Sequence, residues 1–412
     1  MVGGARSYRA INSHRSHPAA ILFLCLFTAQ AGFLALGPIL PAIAHDFGLS
    51  SAAVGQLRVA SGVAGGLTAL ALALSPPRRG PRALLTIGSG LLLASSVASA
   101  AAPGIAVLAV AQMTTGVAMA LLLSAGVAAV AEWAPPERRA RVLAWAIVGQ
   151  PAAWVVGMPA IGIVAEHGWR SAFVAVPAVA AVASLLALAT RPPDAPAPVS
   201  RPPALRVLLR DRQVAGWAWG ELLAYSGWSG ILVFAGALMI EAHGASASTA
   251  GVLLGAAALA YFPSTFLASR VVDRDARLVL AGAGLALAAA CVAFGAVRPT
   301  LAVSAALFAV VVALAGARTL AGSALGLQLA GEQPMAVTSV RTAAAQFGNL
   351  AGAGLGGVAL ELGGYAAFGV TTGALFLLGA LPHRHALRGA LHPFSLVPVS
   401  VIGGAGSDPT CK

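Results

Sequence analysis

Charge is what this chain has least of. Only 9% of its 412 residues are Asp, Glu, Lys or Arg, and Lys412 is the single lysine. A soluble chain of this length covers its surface largely with those side chains, so a water-soluble globule is excluded. Cysteine is scarce too: Cys25 and Cys291 stand inside apolar runs and Cys411 near the end. Their number and spacing exclude a disulfide framework and a thiolate metal centre. His383, His385 and His392 form a loose group without Cys or carboxylate support, and no metal is expected on them. No Gly-rich phosphate loop with a Lys, no HExxH pair and no hydrolytic triad is present. Segments between apolar runs stay under about thirty residues, too short for a soluble catalytic or output domain. Neither an enzyme nor a cofactor is expected.

The formal net charge is +12, which raises the question of nucleic acid. Basic binders of that kind gather Lys and Arg on one solvated face. Here the basic residues fall in short segments between apolar runs, so nucleic acid is not an expected partner.

Apolar and small residues fill the chain instead: 58% are hydrophobic and 48 are Gly. In lipid, helices associate through close packing of small residues rather than through the hydrophobic effect. A spanning helix needs about 20 apolar residues. Runs of that kind lie at 20–43, 54–74, 83–101, 104–131, 142–165, 170–190, 214–240, 248–268, 277–297, 300–330, 337–360 and 365–381. They are too long, and not alternating, for the strands of a β-barrel. The first is too long for a signal-peptide core and reads as a retained helix. The lipid bilayer is the first expected partner.

Basic residues set the orientation, because they accumulate on the cytoplasmic side. One set of loops and ends carries 21 of them, from Arg6, Arg9 and Arg15 to Arg384, Arg388 and Lys412, with Arg341 counted after the tenth run. The opposite set carries Arg170 and Arg298, with Arg58 just inside the second run, and Arg318 stands within a run. Both termini are therefore expected in the cytoplasm, and the membrane is the cytoplasmic one.

The longest break holds Pro192, Pro193, Pro196, Pro198, Pro202 and Pro203 together with several Arg, a linker composition. It divides the chain into a cytoplasmic segment 1–19, a six-helix bundle 20–190, a linker 191–213, a second six-helix bundle 214–381 and a cytoplasmic tail 382–412. The halves repeat at an offset near 195 residues. Arg82 matches Arg277, Glu137 matches Glu332, and Gly162, Glu166, Gly168 and Phe173 match Gly357, Glu361, Gly363 and Phe368. The expected fold is an all-α polytopic membrane protein of twelve helices in two pseudo-symmetric six-helix bundles. Parallel repeats of this kind are a transporter architecture, with substrate held near the midplane between the halves.

The end of the first run, with Gly37, Pro38, Pro41, Asp46 and Gly48, and the stretch Gly168, Trp169, Arg170 and Phe173 before the sixth carry a family likeness. In these the chain resembles the major facilitator superfamily, and locally its twelve-helix drug:proton antiporters and arabinose-efflux-permease-like exporters. That family's loop between spans two and three reads Gly-x-x-x-Asp-Arg/Lys-x-Gly-Arg-Arg/Lys. Here Ala73 and Pro77 replace the Gly and Asp, and Arg78, Arg79, Gly80 and Arg82 keep the basic part. The matching loop of the second half keeps Asp273, Arg274, Asp275 and Arg277. The resemblance implies a gating role for both loops. It also implies a packing role for Pro159 and Gly162, the remnant of the exporter signature in span five. Span four of the family carries an Arg implicated in proton transfer, four residues before a Gly; here Gln112 precedes Gly116.

Ionisable residues inside lipid are functional candidates because each costs roughly 2.5–3.5 kcal/mol on insertion scales. Glu221 in the seventh run and Arg318 in the tenth qualify, at neighbouring depths of about 10 and 18 Å from the cytoplasmic end. The resemblance puts both on helices that line the central cavity. Trp217, Glu221, Tyr225 and Trp228 share one helical face, an arrangement that suits an amphipathic cation. An interfacial aromatic belt accounts as well for Trp217 and Trp219. Gln30 and Gln112 join the candidates as amides that meet substrate or a neighbouring helix. The expectation is a monomeric exporter of a small amphipathic or cationic compound, working by alternating access and, as the resemblance implies, coupled to protons. An importer of a small anion, with Arg318 as counter-charge, is the alternative within transport. A non-transporting sensor of the same fold is the alternative outside it.

Overall fold

The computed structural model describes residues 18–74, 79–191, 210–330 and 334–385. Arg78, Glu332 and most of the linker and both end segments lie outside the described residues. Ten stretches are long and apolar enough to cross a membrane. Helices α1 (Pro18–Phe47), α3 (Pro81–Ala100), α4 (Ile105–Trp133), α5 (Arg141–Ala165) and α6 (Trp169–Ala189) come from the first half. The second half supplies α7 (Arg212–His243), α8 (Ala247–Val272), α9 (Ala276–Ala296), α10 (Leu301–Ala330) and the long tenth stretch. A further apolar helix, α2 (Leu57–Leu74), follows the short turn Ser51–Gly55.

The tenth stretch breaks at Gly363 and Gly364, where Gly364 has φ 63° and ψ −160°. Only glycine adopts that conformation without strain, so the chain divides into α11 (334–362) and α12 (365–380). The described helices thus agree with twelve runs of hydropathy. The expected fold is present: an all-α bundle of membrane-length helices.

The face carrying residues 18, 191, 210 and 385 is called the near face below, and the opposite one the far face. Across the halves, α1 packs on α7, α2 on α11 and α5 on α8. Small residues allow the approach. Gly162 meets Ala247 and Gly251, and Gly62 and Gly66 meet Leu350 and Phe347. Towards the far face one apolar core joins both halves, holding Leu36, Ile39, Met158 and Phe173 with Phe234, Leu254, Phe294 and Phe308. Towards the near face each half has its own. Leu22, Leu26, Leu85, Leu122 and Leu188 form one, and Trp217, Val272, Leu280, Leu325 and Val340 the other.

Candidate functional site

Helix α7 carries Glu221 nine residues from its start, roughly 13 Å from the near face. The carboxylate is fully buried because α10 presents Gly322 to it, and a side chain there would collide with its oxygens. Two guanidiniums meet it. Arg318 Nη1 of α10 lies 2.8 Å from Oε1, and Arg341 Nε of α11 lies 2.9 Å from Oε2. Arg318 also donates to the Gly220 carbonyl at 2.9 Å, and Arg341 to the Thr319 carbonyl at 3.3 Å. A buried carboxylate needs partners of this kind to offset its lost hydration.

Arg341 corrects the loop-charge tally. It was counted with the segment after the tenth run, yet it stands on α11 with its side chain 24% exposed and ion-paired to Glu221. The eleventh run, opening at 337, contains it. His383 likewise stands apart from the tail to which it was assigned. It is buried at the end of α12, where its Nε2 lies beside Gly220.

The aromatic face of α7 splits. Trp217 is buried in the near-face core and donates its Nε1 to the Gly322 carbonyl at 2.8 Å, so it belongs neither to a lipid belt nor to the surroundings of Tyr225 and Trp228. Trp219 is 57% exposed on the outer surface. Tyr225 lies beneath Arg341, whose guanidinium stands 5.5 Å from the ring centre. Trp228 meets Trp154 of α5 at 5.5 Å, and Trp154 meets Tyr261 of α8 edge-on at 5.4 Å. Trp154 lies in the π-helical turn Ala153–Gly157, a local widening common at functional positions. Trp154, Tyr261 and Arg341 are the residues that sequence reasoning missed here. Only the position of Arg341 inside a run was available to signal any of them.

The first half differs. Arg58 of α2 is fully buried and has no acid partner among the described residues. It donates instead to the carbonyls of Gly32 and Phe33, the first at 3.4 Å, and to Gln112 Oε1 at 3.5 Å. Those carbonyls end the first segment of α1 (Pro18–Leu34), where the last turn of a helix leaves carbonyls unbonded and favours a cation. Gln112 completes the chain by donating to Ser99 Oγ at 3.1 Å. Gln30 is buried within α1, apart from the ionic group on α7 and α10.

The two loops of the resemblance end up as helix starts. Gly80 precedes α3, with Arg79 exposed and Arg82 donating to the Leu188 carbonyl at 3.1 Å. In the second half Asp275 caps α9, Arg277 binds Gln213 at 2.9 Å, and Asp273 and Arg274 are exposed. Pro159 packs against Gly255, and Gly162 against Gly251, at the crossing of α5 and α8.

At the far face the halves are tied by carboxylates. Ser50, at the start of the turn before α2, donates to Glu361 at the end of α11. Ser248, at the start of α8, donates to Glu166 at the end of α5. Glu166 and Glu361 are repeat-related, so each seam closes with the same kind of clasp. Ser51 adds a third contact, to Glu241, which also accepts from Tyr365 at 2.7 Å. Hydroxyls from Ser248 and then Ser246 hold the Glu166 carboxyl below its ordinary pKa. Within the first half, Asp46 accepts from Trp169 at 3.1 Å and pairs with Arg170 at 2.7 Å, joining the two segments that carried the family likeness.

Residues 22–226 match the sequence pattern of the Major Facilitator Superfamily. No curated protein sequence matches the chain. In fold it is similar to a bacterial homologue of the human lysosomal transporter Spinster, solved in an inward-facing and unoccupied conformation. That likeness has TM-score 0.70 and 17% identity, over 92% of this chain and 98% of the other. It is similar also to a D-xylose–proton symporter, with TM-score 0.69 and 18% identity over 89% and 96%. Over residues 22–226, from the first helix to the middle of the seventh, the chain carries the sequence pattern of the major facilitator superfamily, and over nearly its whole length it has the fold of membrane transporters of known structure.

Proposed function

We propose that this transporter works by alternating access of two bundles, 20–190 and 214–381, joined by the linker 191–213, with both termini cytoplasmic. The distribution of packing carries the reading. One core unites the halves at the far face, while two separate cores serve them at the near face. Such a molecule is closed on one side and divided on the other, and rocking about the shared middle reverses the two. Loop charge supports the orientation. With Arg341 and Arg58 reassigned to helices, 20 basic residues remain on the near side against two on the far side. A single copy holds both bundles, so a monomer suffices.

The finer expectations fare unequally. Export of an amphipathic cation needs a carboxylate to meet it. Glu221 is the only buried acid among the described residues, and both its oxygens already face guanidiniums. Proton coupling retains a route: a proton on Glu221 would release Arg341.

Spin labels test the alternation without a substrate. One pair, at Leu49 and Leu362, reports the far face; another, at Arg141 and Arg270, reports the near face. In lipid nanodiscs the wild type should show a short far distance with a long near one. The double variant Glu166→Gln, Glu361→Gln should add a population in which both reverse together. A far distance that lengthens while the near one stays fixed would overturn the reading.

A further inference from the structure

Between the halves two buried N–H donors lack acceptors, while the one buried acid among the described residues, Glu221, faces guanidiniums at 2.8 and 2.9 Å. The ionic group holds two guanidiniums and one carboxylate, which leaves one positive charge in excess. Arg341 is where that excess is reachable, since its side chain is 24% exposed against 7% for Arg318 and 1% for Glu221. On the same helix, Gln346 is 2% exposed and faces Gly65 of α2. Its carbonyl accepts from Asn349 at 3.2 Å, while its amide N–H has no acceptor. Across the seam on α5, the buried indole N–H of Trp154 has none either.

Buried polar networks that serve structure alone are normally satisfied, because each unmet donor costs free energy. Here two N–H donors await acceptors, and the ionic group keeps one positive charge in excess. An apolar or cationic guest would leave them unmet; an oxyanion would not. Rings stand around them. Tyr225 lies under Arg341, and Trp154 touches both Trp228 and Tyr261. Such rings offer flat apolar surface to the body of a guest.

Access follows from the packing. Helix α11 lies on α2 from Gly357 beside Gln56 down to Phe347 beside Gly66. Arg341 is six residues further towards the near face, roughly 9 Å along the axis, where the halves have separate cores.

We propose that the seam between α5, α7, α8 and α11 binds an organic anion. Its carboxylate or equivalent oxyanion pairs with Arg341 and takes N–H donors from Gln346 and Trp154, while a flat apolar body lies on the rings. The proposal rests on the transporter reading for its route from the near face. Binding itself needs no alternation, so the two can fail separately.

Benzoate and benzylammonium make the test, having the same ring and opposite charge. Each is titrated into the purified full chain in detergent micelles, with tryptophan fluorescence as the readout. Benzoate should bind saturably and benzylammonium should not. Arg341→Gln should weaken benzoate by at least about tenfold, the worth of one charge-assisted hydrogen bond. Gln346→Leu, which keeps the ionic group, should weaken it severalfold and guards against a folding defect in the first variant. Binding of benzylammonium, binding of neither compound, or unchanged benzoate binding in both variants would overturn the proposal.

Discussion

In the N-terminal half a buried arginine is held by neutral oxygens; in the C-terminal half two arginines are held by a carboxylate. Arg58 finds carbonyls at the break of α1 and the amide of Gln112. Arg318 and Arg341 find Glu221. The halves are related by repeat, yet they solve the burial of a guanidinium differently. The first solution ties a helix end to its neighbours, which is architecture. The second leaves a net charge beside a part of the seam that opens to one face, which is chemistry. Internal symmetry thus supplies the frame, and its breaking marks the position of the site.

The comparison breaks hardest at Glu221. Glu221→Gln leaves two buried guanidiniums without an acid, and removal of one partner of a buried pair costs about 3–5 kcal/mol. Thermal unfolding in detergent should show a large fall in Tm for this variant. Arg58→Met removes a cation that no acid awaits, leaving carbonyls and an amide short of a donor. About 1–3 kcal/mol is the expected loss, visible as a smaller fall in the same assay. Equal falls would dissolve the distinction between the halves.

The smallest effect concerns the far-face clasps, where the two seams again compare. The Glu166 pKa is depressed in the folded chain by the hydroxyls of Ser248 and Ser246. Its contribution to closure is therefore full above the ordinary carboxylate range and is lost as pH falls through the depressed value. Spin-label distances across that seam, between His167 and Ala242, should stay short at neutral pH and lengthen on acidification. In Glu166→Gln the acid-dependent part assigned to that seam should vanish.

Much of the fold was legible before any coordinates. Hydropathy marked the runs because lipid demands length and apolarity of each helix separately. The break after Leu362 was legible as a gap between runs, although helical hydrogen bonding nearly bridges it. The site was harder to read. Glu221 and Arg318 stood out because an ion in an apolar run is conspicuous, and their depths allowed the pairing that the ion pair at 2.8 Å shows. Arg341 hid near a run's end, where a basic residue looks like a loop charge. Arg58 hid for the same reason at the opposite end. Trp154 and Tyr261 reach the seam only through the crossing of α5 and α8, and no spacing within one helix reports which residues of another it meets.

The central claim is that the accessible buried charge belongs to the C-terminal half. It is tested most directly by measuring benzoate affinity in Arg58→Met and Arg341→Met side by side, in the same micelles and with the same fluorescence readout. The account predicts affinity near that of the wild type in Arg58→Met and a loss of at least about tenfold in Arg341→Met. The reverse order, or equal losses in both, would contradict it.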